Sequence, residues 1–382
     1  DVADDARVID TSGRTMLPGL MDLHVHLMIL GHGNYGDWFP FLESRKREVM
    51  RVSARQLLEA GVTTAADMGA PMEILTVRDR IDAGEIPGPR MHVSGPWITR
   101  ASCGDGGLPC HFQYSIDSPE EAAAAARKLV DAGVDLIKTW AGMTEDDIRA
   151  VAEVAHPAGV PIHSHLYSPE DIWDGIRAGT DVIQHGGSAG EYPYRDSLLQ
   201  ELAYNDIPVV PTMAHRIWVV PQTIDFMTRL HDPELEEDFP ADIFEEVRAS
   251  FERTEFHRLG YYSTTPRQVR HAEMGAASQF IDENVIVAMG TDSGTPANFH
   301  TEAAWREIAA MVESGMTPLR AIVASTKIPA QVLGVYDEVG TIEPGKLADI
   351  IVVDGNPLRF INALDHVMYV MKDGIVYEGS RF

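Results

Sequence analysis

Cysteine and lysine are both scarce in this chain of 382 residues. The two cysteines, Cys103 and Cys110, flank a Gly-rich stretch, CGDGGLPC. Two make no disulfide framework, and a bridge across this short loop or two free thiols are equally open readings. Only six of the 31 basic residues are lysines, so each one is informative. No apolar run approaches the roughly 18 residues that a membrane helix needs. No GxGxxG or P-loop falls in a strand–loop–helix setting, so nucleotide cofactors are unsupported. Positive charge is lacking too: 58 acidic residues against 31 basic leave a formal charge of −27. Such a surface repels phosphate backbones, which excludes nucleic acid as an expected partner. The N-terminus shows no basic segment followed by an apolar one. The expected location is cytoplasmic, with export left open because the chain starts abruptly on DVADDARVID.

What is present is the composition of a globular protein with a sizeable core: 45% apolar and 23% charged residues. The length suits two domains, or one large barrel with an appendage. Short β-branched apolar runs at 19–26, 62–67, 90–95, 134–140, 160–165, 181–185, 208–212 and 285–291 read as eight strands. Helical stretches lie between most of them, at 44–60, 118–132, 144–158, 168–178 and 196–205. Ser118, Thr144 and Ser168 each stand ahead of an acidic first turn, as helix N-caps do. Ala-Gly pairs at 60–61, 132–133 and 178–179 supply the C-terminal glycine. Parallel βα units of this number predict an α/β protein, most economically a (β/α)8 TIM barrel. A long helical insert rich in Glu, Arg and aromatics, at about 217–284, belongs over the C-terminal face of such a barrel. From 336 to 382 turns and short strands (GTIEPGKLADIIVVDGNP, HVMYVMKDGIVYEG) read as a small β domain, and 7–10 as a further strand.

Chemically suggestive residues fall at the C-terminal ends of these strands, which meet on one rim of a barrel. His24 and His26, two apart on a strand, share a face and form a two-imidazole clamp for a metal such as zinc. Alone that pattern is weak. His165, His185 and Asp292, each at another strand end, make coincidence a poor explanation. Lys138 ends an apolar strand, Val134-Asp135-Leu136-Ile137. It is either a snorkelling or ion-paired lysine, or one that has reacted with carbon dioxide to form a carbamate able to bridge two cations; the site context favours the second.

The segments LPGLMDLHVHL (17–27), GVTTAADMG (61–69), GVDLIKTWAG (133–142), HSHLYSPEDIWDGIRAGTDVIQHGG (163–187), MGTDSGTP (289–296) and VGTIEPGKLADIIVVDGNPL (339–358) carry a resemblance. Together they resemble the amidohydrolase superfamily, and within it the metal-dependent group of imidazolonepropionase-like proteins and Xaa-Pro dipeptidases. The resemblance implies a barrel at 16–335 and a small β-sandwich built by the chain termini, from a remnant at 1–15 and from 336–382. Earlier strands of that sandwich would lie ahead of this sequence. It implies two divalent metal ions, expected to be Zn2+: His24, His26 and Asp292 on one, His165 and His185 on the other, and carboxylated Lys138 between them. His163 shares the face of His165 and stands as its backup or supporting partner.

The activity implied is cleavage of an amide C–N bond by a hydroxide bridging the two cations, with Asp292 as general acid and base. The chain departs from the family pattern at two places. Gln184 stands where an acidic residue usually precedes the sixth-strand histidine, and PTMAHRIW replaces a tyrosine after the seventh strand. In the latter, His215 is expected to polarise the substrate carbonyl and Arg216 to clamp a carboxylate. His300 is placed to contact substrate and His111 to line the mouth. The expected substrate is a small amide or peptide, either an Xaa-Pro dipeptide or an N-acyl amino acid. Trp38, Phe39, Trp218, Phe226, Phe244, Phe251, Tyr261 and Tyr262 would suit a bulky acyl group, or equally packing or an oligomer interface. A homo-oligomer is expected. The alternative activity is a mononuclear hydrolase of a cyclic amide, or a deaminase. A non-enzymatic barrel is disfavoured because all six ligand positions are filled.

Overall fold

The computed structural model describes residues 8–104, 109–186, 193–215, 227–253 and 266–377. Its strands are β1 (Arg14–Pro18), β2 (Leu20–Val25), β3 (Val62–Asp67), β4 (Arg90–Val93), β5 (Trp97–Thr99), β6 (Gln113–Ser115), β7 (Ile137–Thr139), β8 (Ile162–His165), β9 (Val182–Gln184), β10 (Val209–Val210), β11 (Ile350–Asp354), β12 (Val367–Lys372) and β13 (Ile375–Tyr377). β2, β3 and β4 pair in parallel, as do β10, β9, β8, β7, β5 and β6 in that order. The predicted strand at 90–95 is observed as β4, which ends at Val93 and stays with β3; past Gly95, at φ 65°, the chain forms a further strand, β5, which pairs with β7. A bond from Asp135 N to Val93 O, 2.9 Å, ties the approach to β7 back to β4.

On the other side, parallel bridges join Val209 to Val287 and Val25 to Ser293, so the 285–293 segment links β10 to β2. The helix-connected parallel strands therefore form a TIM-barrel-like α/β arrangement. The expected strand at 285–291 is not a continuous one. It keeps backbone bonds to β10 (Ala288 N to Val209 O, 3.0 Å) and to β2 (Leu23 N to Met289 O, 3.0 Å), but Met289 N bonds Ala324 O at 2.8 Å and Thr291 N bonds the Asp22 carboxylate at 3.0 Å. Leu23, Ala66, Met68, Leu136, Val182, Val210 and Ala288 pack together as an apolar cluster, with Ile328, Val332 and Leu333 against it.

The helices begin and end where local chemistry dictates. Thr144 with Asp147, and Ser168 with Asp171, form reciprocal capping boxes, and Ser118 Oγ accepts from Glu121 N. Gly133 and Gly179 close their helices in the left-handed region, at φ 81° and 95°, which costs an L side chain energy that glycine avoids.

β1 pairs antiparallel with β11, followed by β12 and β13, so a segment near each end of the chain shares one sheet. Residues 8–10 carry no strand; β1 starts only after the turn in which Arg14 N bonds Thr11 O, and Arg7 lies outside the described residues. Arg90 pins this sheet to β4 by pairing with Asp349 at 2.9 Å and with Asp373. Cys103 and Cys110 are joined by a disulfide, with Cα atoms 4.9 Å apart. No helix among the described residues is long and apolar enough to cross a membrane.

Candidate metal centre

β2 delivers His24, and the chain just beyond it delivers His26. Asp292 reaches them from the 285–293 segment. Its Oδ1 lies 3.5 Å from His24 Nε2 and 3.2 Å from His26 Nε2. One ligand atom from each of the three falls within 4.8 Å of the others, the one such His/Cys/Asp/Glu trio among the described residues. The ring of His185 stands 4.5 Å from that of His24, and the ring of His165 4.5 Å from His185. Four imidazoles and a carboxylate from separate segments thus line one continuous patch.

Burial sets the electrostatics of this patch. It pushes the Lys138 amine, 1% exposed, down to about 7, against the opposing pull of Asp292. Lys138 Nζ has no hydrogen-bond partner among the described residues. Burial and then the Lys138 charge hold His24 well below the ordinary imidazole range. Burial raises Asp292, but a hydrogen bond with His26 and the charges of His24, His26 and His215 outweigh it and keep the carboxyl well below the usual carboxylate range. Asp22, behind the site, is pushed by burial to about 7 although Thr291 and the His24 N–H bond it.

Three residues at the site sit at positive φ without being glycine: His185 at 65°, Thr212 at 53° and Asp292 at 56°. Such backbone persists only where surrounding bonds enforce it. Asn298 Nδ2 and Thr295 Oγ1 both donate to the Asp292 carbonyl. Thr212 Oγ1 lies 2.9 Å from His185 Nδ1.

His24, His26, His165, His185 and Asp292 are brought together as the sequence suggested, with Lys138 close enough to interact electrostatically with His24 and Asp292. His215 joins them, its Nδ1 4.0 Å from Asp292 Oδ2. Arg216 lies outside the described residues, as do Trp218, Phe226, Tyr261 and Tyr262. His300 is not a substrate contact: it is fully buried, with Nδ1 2.8 Å from Ser293 Oγ and Nε2 3.0 Å from Ile29 O. His111 pairs with Glu43 at 3.1 Å. Trp38, Phe39, Phe244 and Phe251 are core residues at 0–2% exposure, which removes them as a substrate surface.

Other aromatics stand at the site instead. Trp97 is edge-on to His26 at 6.0 Å and packs on Trp140 at 4.8 Å, while Tyr167 lies 4.4 Å from His165. Strand parity would have found two of them, since Trp140 and Tyr167 follow Lys138 and His165 by two positions. Glu307 had no sequence signal. From the helix His300–Glu313 its oxygens accept from Met213 N at 2.8 Å and Ala214 N at 2.6 Å, directly ahead of His215.

A family model described as "Amidohydrolase family" matches residues 15–379. The chain belongs to the amidohydrolase family. It is a hydrolase acting on C–N bonds, in a family that depends on metal ions and acts on small molecules. The imidazolonepropionase of Geobacillus thermodenitrificans is 24% identical over 405 residues, 98% of this chain and 84% of the relative. The 5-methylthioadenosine/S-adenosylhomocysteine deaminase of Moorella thermoacetica is 22% identical over 387 residues, 91% of this chain and 75% of the relative. Among solved structures, a Xaa-Pro dipeptidase with methionine bound in the active site is 26% identical at a TM-score of 0.75, over 99% of this chain and 90% of that one.

Proposed function

We propose that this amidohydrolase is a binuclear metal hydrolase that cleaves the C–N bond of an Xaa-Pro-like dipeptide or an N-acyl amino acid, on a closed (β/α)8 barrel. The observation that carries this is the convergence of His24, His26, His165, His185 and Asp292 around a buried lysine amine with no hydrogen-bond partner among the described residues. The nitrogen and carboxylate donors suit zinc. His24, His26 and Asp292 would hold one ion, and His165 and His185 the other. Lys138 would bridge as a carbamate: its neutral amine adds to the carbon of CO2, a C=O electron pair moves to oxygen, and the N–H proton leaves to water. A buried amine lowered to about 7 has the free lone pair this requires at neutral pH. Bound cations would supply Lewis acidity and a water that ionises near neutral pH.

The remaining work falls to the chain. Asp292, ionised at neutral pH, takes the proton of the attacking water and hands it to the leaving nitrogen. His215 faces Asp292 and polarises the scissile carbonyl, and Arg216 clamps the substrate carboxylate. Trp97, Trp140 and Tyr167 border the reacting bond with apolar surface. The protein works in the cytoplasm as a homo-oligomer, with its terminal strands forming a small β-sandwich apart from the barrel.

One observation favours a second reading. Only the trio His24, His26 and Asp292 meets ligand-atom spacing among the described residues, which suits one ion and a cyclic amide or a deamination substrate. Elemental analysis of wild type and Lys138→Ala, expressed with bicarbonate, separates the two. Two zinc-like ions falling to one or none on mutation support the binuclear site, and turnover of Xaa-Pro dipeptides or acyl amino acids then completes the test. One ion, untouched by the mutation, overturns it in favour of the mononuclear reading.

A further inference from the structure

Three buried side chains are threaded together beneath the metal centre. His24 Nδ1 lies 2.7 Å from Gln184 Oε1, and Gln184 Nε2 lies 2.9 Å from His163 Nδ1 and 3.4 Å from the Leu23 carbonyl. Gln184 and His163 are fully buried, and His24 is 1% exposed.

Either end of an amide can face a given neighbour, so its orientation has to be argued from its partners. Turning Gln184 over would set its oxygen against the Leu23 carbonyl oxygen, two buried acceptors with no proton between them. The carbonyl therefore holds the NH2 on its own side. The other end, Oε1, accepts, so His24 carries its proton on Nδ1 and keeps the lone pair on Nε2, the atom that faces Asp292. The NH2 donates to His163 Nδ1, so His163 carries its proton on Nε2.

We infer that Gln184 is a positioning residue that gives these two histidines opposite tasks: His24 becomes a cation ligand through Nε2, and His163 is barred from ligation and held as a hydrogen-bond donor. The inference rests on the metal-centre reading above and deepens it, since it decides between His163 and His165 as ligand. His163 Nε2 has no hydrogen-bond partner among the described residues, and its neighbour in register across β7 and β8 is Lys138. An ammonium at Lys138 adds donors where one is already unmatched, whereas a carboxylated Lys138 adds acceptors. A glutamate at position 184 would not be conservative. Its second oxygen would face the Leu23 carbonyl and draw the His163 proton to Nδ1, leaving Nε2 free to bind a cation.

The test is the protonation state of each ring nitrogen, read by 1H–15N correlation on the histidine-labelled protein without metal and with Zn2+, with His163→Gln used for assignment. Zn2+ affinity is measured alongside by competition with a chromophoric chelator. The metal-free protein is expected to show His24 protonated at Nδ1 and His163 at Nε2. Gln184→Glu should move the His163 proton to Nδ1, and Gln184→Leu should weaken Zn2+ binding by about 10–100-fold. His24 protonated at Nε2 in the metal-free wild type overturns the inference, as does wild-type Zn2+ affinity in folded Gln184→Leu. The wild-type spectrum decides the tautomers even if a variant fails to fold. A wild type with the stated tautomers that takes up no Zn2+ refutes the metal-centre reading while upholding the amide assignment.

Discussion

Glu307→Gln puts the turn that carries His215 under a test whose sign changes with pH. In the wild type each Glu307 oxygen accepts one backbone N–H, from Met213 and from Ala214, and the residue is fully buried. Glutamine keeps one acceptor and turns an NH2 toward the other N–H, so a buried donor is stranded at a cost of about 1–3 kcal/mol. Against this, glutamine removes a carboxyl that burial pushes up from 4.5 to about 8 despite its two N–H bonds. Between those pH values the folded state holds a proton that the unfolded state has lost. Wild-type stability therefore falls as pH rises through the window, by at most ~5 kcal/mol at about 1.4 kcal/mol per pH unit.

At pH 5 the variant should be the less stable by about 1–3 kcal/mol; by pH 9 the gap should close or reverse. Urea unfolding of both proteins across this range reads the difference directly, and groups common to both cancel. A difference that does not vary with pH would refute the account of Glu307, and so would equal stability at pH 5. Loosening the turn should also lower kcat, because Thr212 and His215 flank the two bonded residues.

Thr212→Val removes the oxygen 2.9 Å from His185 Nδ1 while keeping a β-branched shape at the same strained φ. Zn2+ affinity should fall about tenfold by chelator competition with little change in metal-free unfolding, and an unchanged affinity would show that the contact does not orient His185. Arg90→Leu leaves Asp349, 3% exposed in its side chain, without its cationic partner. Loss of roughly 3 kcal/mol in urea unfolding, with faster proteolysis of the β11–β13 sheet, is expected; wild-type behaviour in both would make that pair dispensable.

Much of the local architecture was legible in the order of residues. The strand at 62–67 and the helix starts after Ser118, Thr144 and Ser168 occur as read, because capping and strand alternation are settled by groups a few positions apart. Parity also put His24 and His26 on one face, and recurrence at strand ends singled out His165, His185 and Asp292. Parity could not separate His163 from His165, since both positions share it; the resemblance favours His165, and in the structure it is His163 that the distant Gln184 amide reaches, while the His165 ring lies 4.5 Å from that of His185. Nor could these rules foresee that His300 would spend both ring nitrogens inside the protein, or that the 285–293 segment would turn the Met289 and Thr291 N–H groups to Ala324 and Asp22 and so keep only isolated bridges to its neighbouring strands. Periodicity and caps are short-range and written in the chain itself. Which acceptor a buried donor finds depends on what the fold brings beside it, and that competition only the tertiary structure decides.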